Sequence, residues 1–256
     1  MNITILGAGA FGTSLGNILE QNNHIVTYYD NKIKLPLDEA TKNADAIILA
    51  IPSQFFAEPL ARLRTDKPLI VATKGLLSLE PFEKFKKYAF LSGGAFADDL
   101  NNKLKTTLTA TDKLVRKLFE TKWLHFELTK DKLGVILCGS LKNIYAIRAG
   151  YYDVETNPKK RAQMIAETEA EMKQILKANG ADPKTVDLSC GIGDLKVTFT
   201  SSSRNYRYGQ NLKKDPNYQP TETTEGLTAI KSLKKSGIII PEDATIIRKI
   251  INNDWS

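Results

Sequence analysis

Lys142 stands in the middle of a run, Leu133 to Tyr152, whose side chains are apolar nearly all round a helix. A lysine in that setting either snorkels to solvent at the helix edge or stays buried beside a partner. Burial disfavours the ammonium, so the second case makes it a proton donor that works near neutral pH. Asp194 is the candidate partner. It sits in Gly191-Ile192-Gly193-Asp194-Leu195, a carboxylate on glycine-flexed backbone just before the Thr/Ser-rich stretch Thr198 to Ser203. Its alternative role is that of a helix N-cap. The segment Ser201-Ser202-Ser203-Arg204-Asn205-Tyr206-Arg207 places hydroxyls, an amide and two guanidinium groups together. Arginine forks match phosphate oxygens, and the same composition also suits a polar surface loop.

A second constellation opens the chain. Gly7-Ala8-Gly9-Ala10-Phe11-Gly12 follows the apolar stretch Ile3 to Leu6 and leads into Thr13 to Leu19, the strand, turn and helix order of a dinucleotide site. Gly7 permits the tight turn, Gly9 lets backbone approach a pyrophosphate, and Gly12 lets helix and strand pack closely. N–H groups at the helix start face the anion. The stretch Ile25 to Tyr29 ends in Asp30, about twenty residues further on, where a carboxylate accepts hydrogen bonds from ribose hydroxyls. That leans towards NAD over NADP. A glycine run alone also fits an ordinary loop; here the preceding strand, the following helix, the acidic residue and the position at the chain start agree.

These residues need a frame. The apolar runs Asp45 to Pro52, Leu69 to Thr73 and Tyr88 to Leu91 have the texture of buried parallel strands, and Thr106 to Ala110 and Trp123 to Glu127 add two more β-like runs. Between Asp30 and Asp45 only a short helix, Pro36 to Thr41, fits. The runs Leu69 to Thr73 and Tyr88 to Leu91 end at Lys74-Gly75 and at Ser92 to Ala97, the carboxyl edge where open parallel sheets place ligands. From Lys130 the pattern turns helical, with Leu133 to Tyr152 as a central helix and Lys159 to Asn179 as an amphipathic one stopped at Gly180. The expectation is an α/β protein, a Rossmann-type doubly wound parallel sheet over residues 1–128 followed by a mostly α-helical domain over 129–256.

Composition narrows the classes. The chain has 256 residues, 42% of them hydrophobic, enough to bury a core in two modest domains. The formal charge of +7 suits an anionic ligand or simply solubility, and no basic stripe interleaved with aromatics points to nucleic acid. Cys138 and Cys190 lie far apart without a C-x-x-C, so neither a disulfide framework nor a metal site is expected. His24 and His125 stand in no ligating or nucleophile-activating spacing, which sends the search for a proton donor back to Lys142. No apolar stretch approaches a membrane span, and a cytoplasmic protein without membrane insertion is expected.

With these motifs in hand, the chain resembles the NAD(P)-dependent glycerol-3-phosphate dehydrogenases of the bacterial type over nearly its whole length. Gly7 to Gly12 corresponds to the family's glycine run, Ala72-Thr73-Lys74-Gly75-Leu76 to its lysine-glycine motif, and Gly93-Gly94-Ala95-Phe96-Ala97 to a motif usually read G-P-S-F-A. Gly134-Val135 through Gly139-Ser140-Leu141-Lys142-Asn143, Gly191 to Leu195, Ser203-Arg204-Asn205 and Glu225-Gly226 follow in the family's order.

The resemblance implies reversible hydride transfer between NAD (NADP being the alternative) and C2 of dihydroxyacetone phosphate, giving sn-glycerol 3-phosphate, with a helical domain like that of 6-phosphogluconate dehydrogenase. It implies that Lys142 supplies the proton, that Asp194 orients and charge-balances it, and that Lys74 lies between cofactor and substrate. Gly93, Asn143, Thr198, Ser203, Arg204 and Asn205 are implied to hold the small phosphorylated substrate. Gly7, Gly9, Ala10, Phe11, Gly12, Asp30, Asn31, Lys74, Ala97, Arg204 and Glu225 are implied to hold the cofactor. Assembly is left open, a homodimer being one expectation. The chain also departs from the family. The interval after Asp30 is short, which reduces the adenine side of the pocket. Gly94 and Ala95 replace Pro-Ser, and Ile165-Ala166-Glu167-Thr168 replaces Ile-Thr-Arg-Gly. Two rival functions follow from these changes: reduction of another small phosphorylated or acidic carbonyl compound, and a degenerate, nucleotide-binding regulatory role.

Overall fold

The computed structural model describes residues 1–255. They form two compact units, residues 1–74 with 78–132, and residues 75–77 with 133–255.

The first unit is built on a seven-stranded sheet of order β2-β1-β3-β4-β5-β6-β7, comprising β1 (Asn2–Leu6), β2 (Ile25–Tyr29), β3 (Ala46–Leu49), β4 (Leu69–Val71), β5 (Tyr88–Ser92), β6 (Thr106–Ala110) and β7 (Leu124–Leu128). All neighbours are parallel except β5 and β6, which pair antiparallel through Leu91 with Ala110 and Ser92 with Thr109. The central strands read as continuous apolar runs because both faces are covered: Ile47, Ile48 and Leu49 are wholly buried. The helices of this unit are α1 (Ala10–Gln21), α2 (Leu37–Thr41), α3 (Ala57–Arg62), α4 (Ala97–Asn101) and α5 (Lys113–Phe119). Leu15, Ile18 and Leu19 of α1 join Ile3, Ile5, Ile48 and Ile70 in one core. The sheet reverses direction of growth at β1, since β2 lies on one side of it and β3 on the other, and such a switch point opens a crevice at the carboxyl ends of the strands.

The second unit is helical: α6 (Lys132–Tyr151), α7 (Pro158–Ala178), α8 (Asp194–Thr198), α9 (Arg204–Lys214), α10 (Glu225–Leu233) and α11 (Thr245–Ile251). α6 is buried along almost its entire length, so its neighbours must surround it. α9 approaches it backbone to backbone. A Cβ on Gly150 would lie 1.9 Å from the Tyr206 carbonyl oxygen, and one on Gly209 would lie 1.9 Å from that of Ile147. α7 begins with Asn157 as N-cap and Pro158 at its first position, and stops at Gly180, whose φ of +75° an L side chain resists. Glu171 of α7 buries a carboxylate that accepts from the Tyr145 hydroxyl at 2.7 Å and from the Ile246 and Ile247 N–H groups at 2.8 and 2.7 Å. It thereby ties α6 and α7 to the first turn of α11, where a negative charge is favoured. Among the described residues no helix is long and apolar enough to cross a membrane.

Burial, and then the adjacent Glu171 carboxylate, push the Tyr145 phenol well above its ordinary value. Its folded pKa therefore exceeds the unfolded one, near 10, so its contribution to stability is complete below about pH 10 and is lost as the pH rises further. Tyr145→Phe is expected to flatten the loss of stability above pH ~10, while lowering stability at neutral pH by about 1–3 kcal/mol because Glu171 loses a donor. Urea unfolding of both proteins across that pH range checks this.

Candidate active site

In the first unit, the glycine run forms the turn between β1 and α1. Gly7 has φ of +108°, and a Cβ there would sit 2.7 Å from the Ala50 carbonyl oxygen; one on Gly12 would sit 2.0 Å from the Gly7 oxygen. Gly9 differs, for nothing lies within 4 Å of where its Cβ would be. The space above Gly9 is thus open to a ligand, beside the N-terminus of α1, whose first turn carries no acidic side chain. Gly7, Ala8 and Gly9 line a cavity of about 800 Å³ together with Tyr29, Asp30, Asn31 and Lys32 after β2 and the stretch from Ile51 to Pro59 after β3. That volume is ample for a nucleotide. Asp30 accepts the Ala8 N–H at 3.0 Å and the Lys32 N–H at 3.1 Å. The glycine cradle, the free helix terminus and the acidic cavity wall together fit a dinucleotide.

Elsewhere in this unit the Lys74 ammonium lies 3.4 Å from the Gly93 carbonyl oxygen and 5.7 Å from the centroid of the Phe11 ring. Both contacts favour a cation. Ala10 and Phe11 are the first two residues of α1, and Ala97 begins α4, its carbonyl accepting from the Ser14 hydroxyl at 3.3 Å.

In the second unit, Lys142 does not snorkel. It is 4% exposed, and its Nζ donates to Asp194 Oδ1 at 2.6 Å and to Thr198 Oγ1 at 3.2 Å. The Thr198 hydroxyl also donates to Asp194 Oδ1 at 3.2 Å, so three side chains from α6 and α8 close a ring. Gly193 occupies the N-cap of α8 and Asp194 its first helical position. A π-helical turn over Ser189–Gly193 delivers it there, with Gly191 pressed against the Val186 backbone. Beside Lys142, the Asn143 side chain accepts from Asn205 Nδ2 at 2.9 Å, and Asn205 Oδ1 accepts the Gly226 N–H at 2.8 Å. Ser203, the N-cap of α9, is buried with Asn205. The Ser201 to Arg207 segment is therefore a helix start rather than a loop. Arg204 is exposed, its Nε 3.3 Å from Glu222 Oε2, and Arg207 shares the same carboxylate at 2.9 Å. Glu225 begins α10 and is half-buried.

A buried ammonium held by a carboxylate and a hydroxyl is equipped to deliver a proton to an oxygen that gains charge during a reaction. The sequence patterns did not single out Ile51, Pro52, Gln54, Phe55 and Glu58 as cavity residues. Their signal was positional: they follow the buried strand β3 at the carboxyl edge of the sheet. Nor did the patterns reveal Glu222, an isolated acid in a polar segment, whose partners only the fold supplies. Among the described residues no cluster of His, Cys, Asp and Glu could hold a metal ion.

Residues 131–251 match the family described as NAD-dependent glycerol-3-phosphate dehydrogenase C-terminus. The glycerol-3-phosphate dehydrogenase [NAD(P)+] of Maridesulfovibrio salexigens is 30% identical over 94% of this chain and 91% of its own length. That of Syntrophotalea carbinolica is 31% identical over 83% and 79%. Among solved structures, glycerol-3-phosphate dehydrogenase from Coxiella burnetii superposes with a TM-score of 0.83 at 23% identity, covering 99% of this chain and 95% of that one. At these identities the solved structure speaks to the fold.

Removing one partner of a buried ion pair strands the other charge in low dielectric. Lys142→Met is expected to cost about 3–5 kcal/mol of stability, and adding Asp194→Asn to the same chain is expected to return most of it. Urea unfolding of the wild type, the single and the double variant measures both steps.

Proposed function

The chain belongs to the NAD(P)-dependent glycerol-3-phosphate dehydrogenase family, oxidoreductases that interconvert glycerol 3-phosphate and dihydroxyacetone phosphate, and we propose that Lys142 handles the proton of that reaction. The observation that supports this most is the buried Lys142, Asp194 and Thr198 ring. Bound NAD(P)H supplies a hydride to C2 of the ketone. Lys142 gives its proton to the oxygen on C2 as that oxygen becomes an alkoxide, so hydride and proton together make the alcohol. Asp194 stabilises the ammonium before transfer, and with Thr198 it keeps Nζ in one orientation. In the reverse direction the neutral amine takes the proton back.

The remaining roles follow from position and chemistry. Gly7, Gly9, Ala10, Phe11 and Gly12 are proposed to hold the cofactor pyrophosphate, Asp30 and Asn31 its adenosine ribose, and Ala97, Arg204 and Glu225 further parts of it. Lys74 is proposed to bring positive charge to cofactor and substrate alike. Gly93, Asn143, Ser203, Arg204 and Asn205 are proposed to hold the substrate, with the Arg204 guanidinium and the first turn of α9 suited to the phosphate. Residues 1–128 are on this basis the dinucleotide-binding domain, and residues 129–256 the substrate-binding one. A cytoplasmic location, favoured by two cysteines that are both buried thiols, and a homodimer, checked by light scattering, complete the proposal.

NADH and NADPH oxidation followed optically with dihydroxyacetone phosphate, and with unphosphorylated dihydroxyacetone as control, tests the reaction. Phosphate-dependent turnover is expected. Cofactor binding without turnover would instead favour another small carbonyl substrate or a regulatory role. Lys142→Met is expected to lower turnover by at least about a hundredfold with NADH binding retained. Arg204→Ala is expected to raise the Michaelis constant for dihydroxyacetone phosphate about tenfold or more, with unfolding unchanged. Steady-state kinetics of the two variants separate the roles.

A further inference from the structure

Resting on the dehydrogenase assignment and on Arg204 as a holder of the substrate phosphate, we propose that Glu222 competes with that phosphate for the Arg204 guanidinium and so sets the Michaelis constant. Glu222 lies in the chain between α9 and α10, three residues before α10 begins. Its carboxylate faces two arginines of α9. Oε1 accepts a hydrogen bond from Arg207 Nη2 at 2.9 Å, and Oε2 lies 3.3 Å from Arg204 Nε. The two contacts are unequal. Arg207 is itself fixed, since its Nη1 donates to the Ser201 and Ser202 carbonyl oxygens at 2.9 and 3.2 Å. The Thr224 hydroxyl donates to the Glu222 carbonyl oxygen at 3.3 Å, so backbone and carboxylate are both held without help from Arg204.

A guanidinium grips a phosphate through paired N–H groups along one edge. With Glu222 at the Nε edge of Arg204, a phosphate either takes the other edge or displaces the carboxylate. In both cases a group carrying about −1.5 to −2 at pH 7 comes to rest beside a placed negative charge. Two guanidiniums and one carboxylate leave this corner a single net positive charge, where the arginines alone would supply two. Arg204 and Glu222 are both about half exposed, so water and salt temper the repulsion without abolishing it.

The phosphate is the same in ketone and alcohol and is remote from C2, where hydride and proton arrive. Its grip is therefore shared by the ground state and the transition state, and a residue that weakens it raises KM without lowering kcat. The same repulsion weakens inorganic phosphate as a competitor for Arg204.

Steady-state kinetics with dihydroxyacetone phosphate and saturating NADH test this in wild type, Glu222→Gln, Arg204→Ala and the double variant. Glu222→Gln keeps an oxygen for Arg207, removes the charge and alters a half-exposed side chain, so the fold is not at stake. It is expected to lower KM about threefold or more at an ionic strength of about 0.05 M, with kcat unchanged. Inhibition by inorganic phosphate, competitive with the ketone, is expected to tighten in the same variant by a similar factor. On the Arg204→Ala background the exchange is expected to change KM by less than about twofold, because the contested cation is gone. At an ionic strength of about 0.5 M the gap between wild type and Glu222→Gln is expected to narrow. An unchanged KM in Glu222→Gln would overturn the proposal, and so would a raised one, which would mean that Glu222 orients Arg204 instead. An equal fall on the Arg204→Ala background, or a gap that widens with salt, would overturn it as well. All of these leave the dehydrogenase assignment standing. A wild-type KM in Arg204→Ala would remove Arg204 from the phosphate and the proposal with it, whereas absence of turnover in wild type would remove the reaction itself.

Discussion

The buried ion pair of Lys142 and Asp194 sets the terms on which the second unit is built. Two charges removed from water lose several kcal/mol of hydration each, and their attraction offsets this only with good geometry and further hydrogen bonds. The structure supplies both. The 2.6 Å contact is joined by the Thr198 hydroxyl, which bridges ammonium and carboxylate and comes from the same short helix as Asp194. Hydrophobic residues of similar volume would serve stability as well or better. A pair that is costly to bury and needless for the core is therefore best understood through its chemistry.

Around it, packing does the positioning. α6 can bury Lys142 because neighbours cover the helix on every side, and the glycines Gly150 and Gly209 let α9 come near enough for Asn205 to reach Asn143 of α6. Asn205 then links Asn143 of α6 to the Gly226 N–H at the start of α10. α9 and α10 thus converge on one stretch of α6 through backbone contacts that a methyl group would block and amide bonds with few alternative partners. Glu171 fastens the same stretch of α6, at Tyr145, to α7 and α11 by a separate network.

The first unit solves a different problem, that of leaving room for an anion. Its sheet is closely filled, yet at the carboxyl end of β1 the chain presents a glycine with open space above it and a helix terminus free of acidic side chains. Asp30 braces that turn through the Ala8 N–H, so a residue of the cavity wall also shapes the loop beside it.

Much of this was legible before any coordinates. The strands of the sheet, the short helix after Asp30 and the spans of α6 and α7 fall within a few residues of where periodicity and glycine stops put them, because each is encoded in a local pattern. Lys142 and Asp194 were visible as a charge in an apolar run and a carboxylate on flexible backbone. Residues far apart in sequence carry no local sign of meeting. The fate of Lys142, the N-cap falling to Gly193 rather than Asp194, the capture of Arg204 by Glu222 and the cavity wall after β3 were all decided by tertiary contacts. So was the antiparallel turn of β6 against β5, since strand direction depends on the path of the connection and not on the strand's composition. The chain by itself determined which groups are present and which elements carry them; only folding determined which of those groups touch, because burial and pairing are properties of neighbours that the linear order does not name.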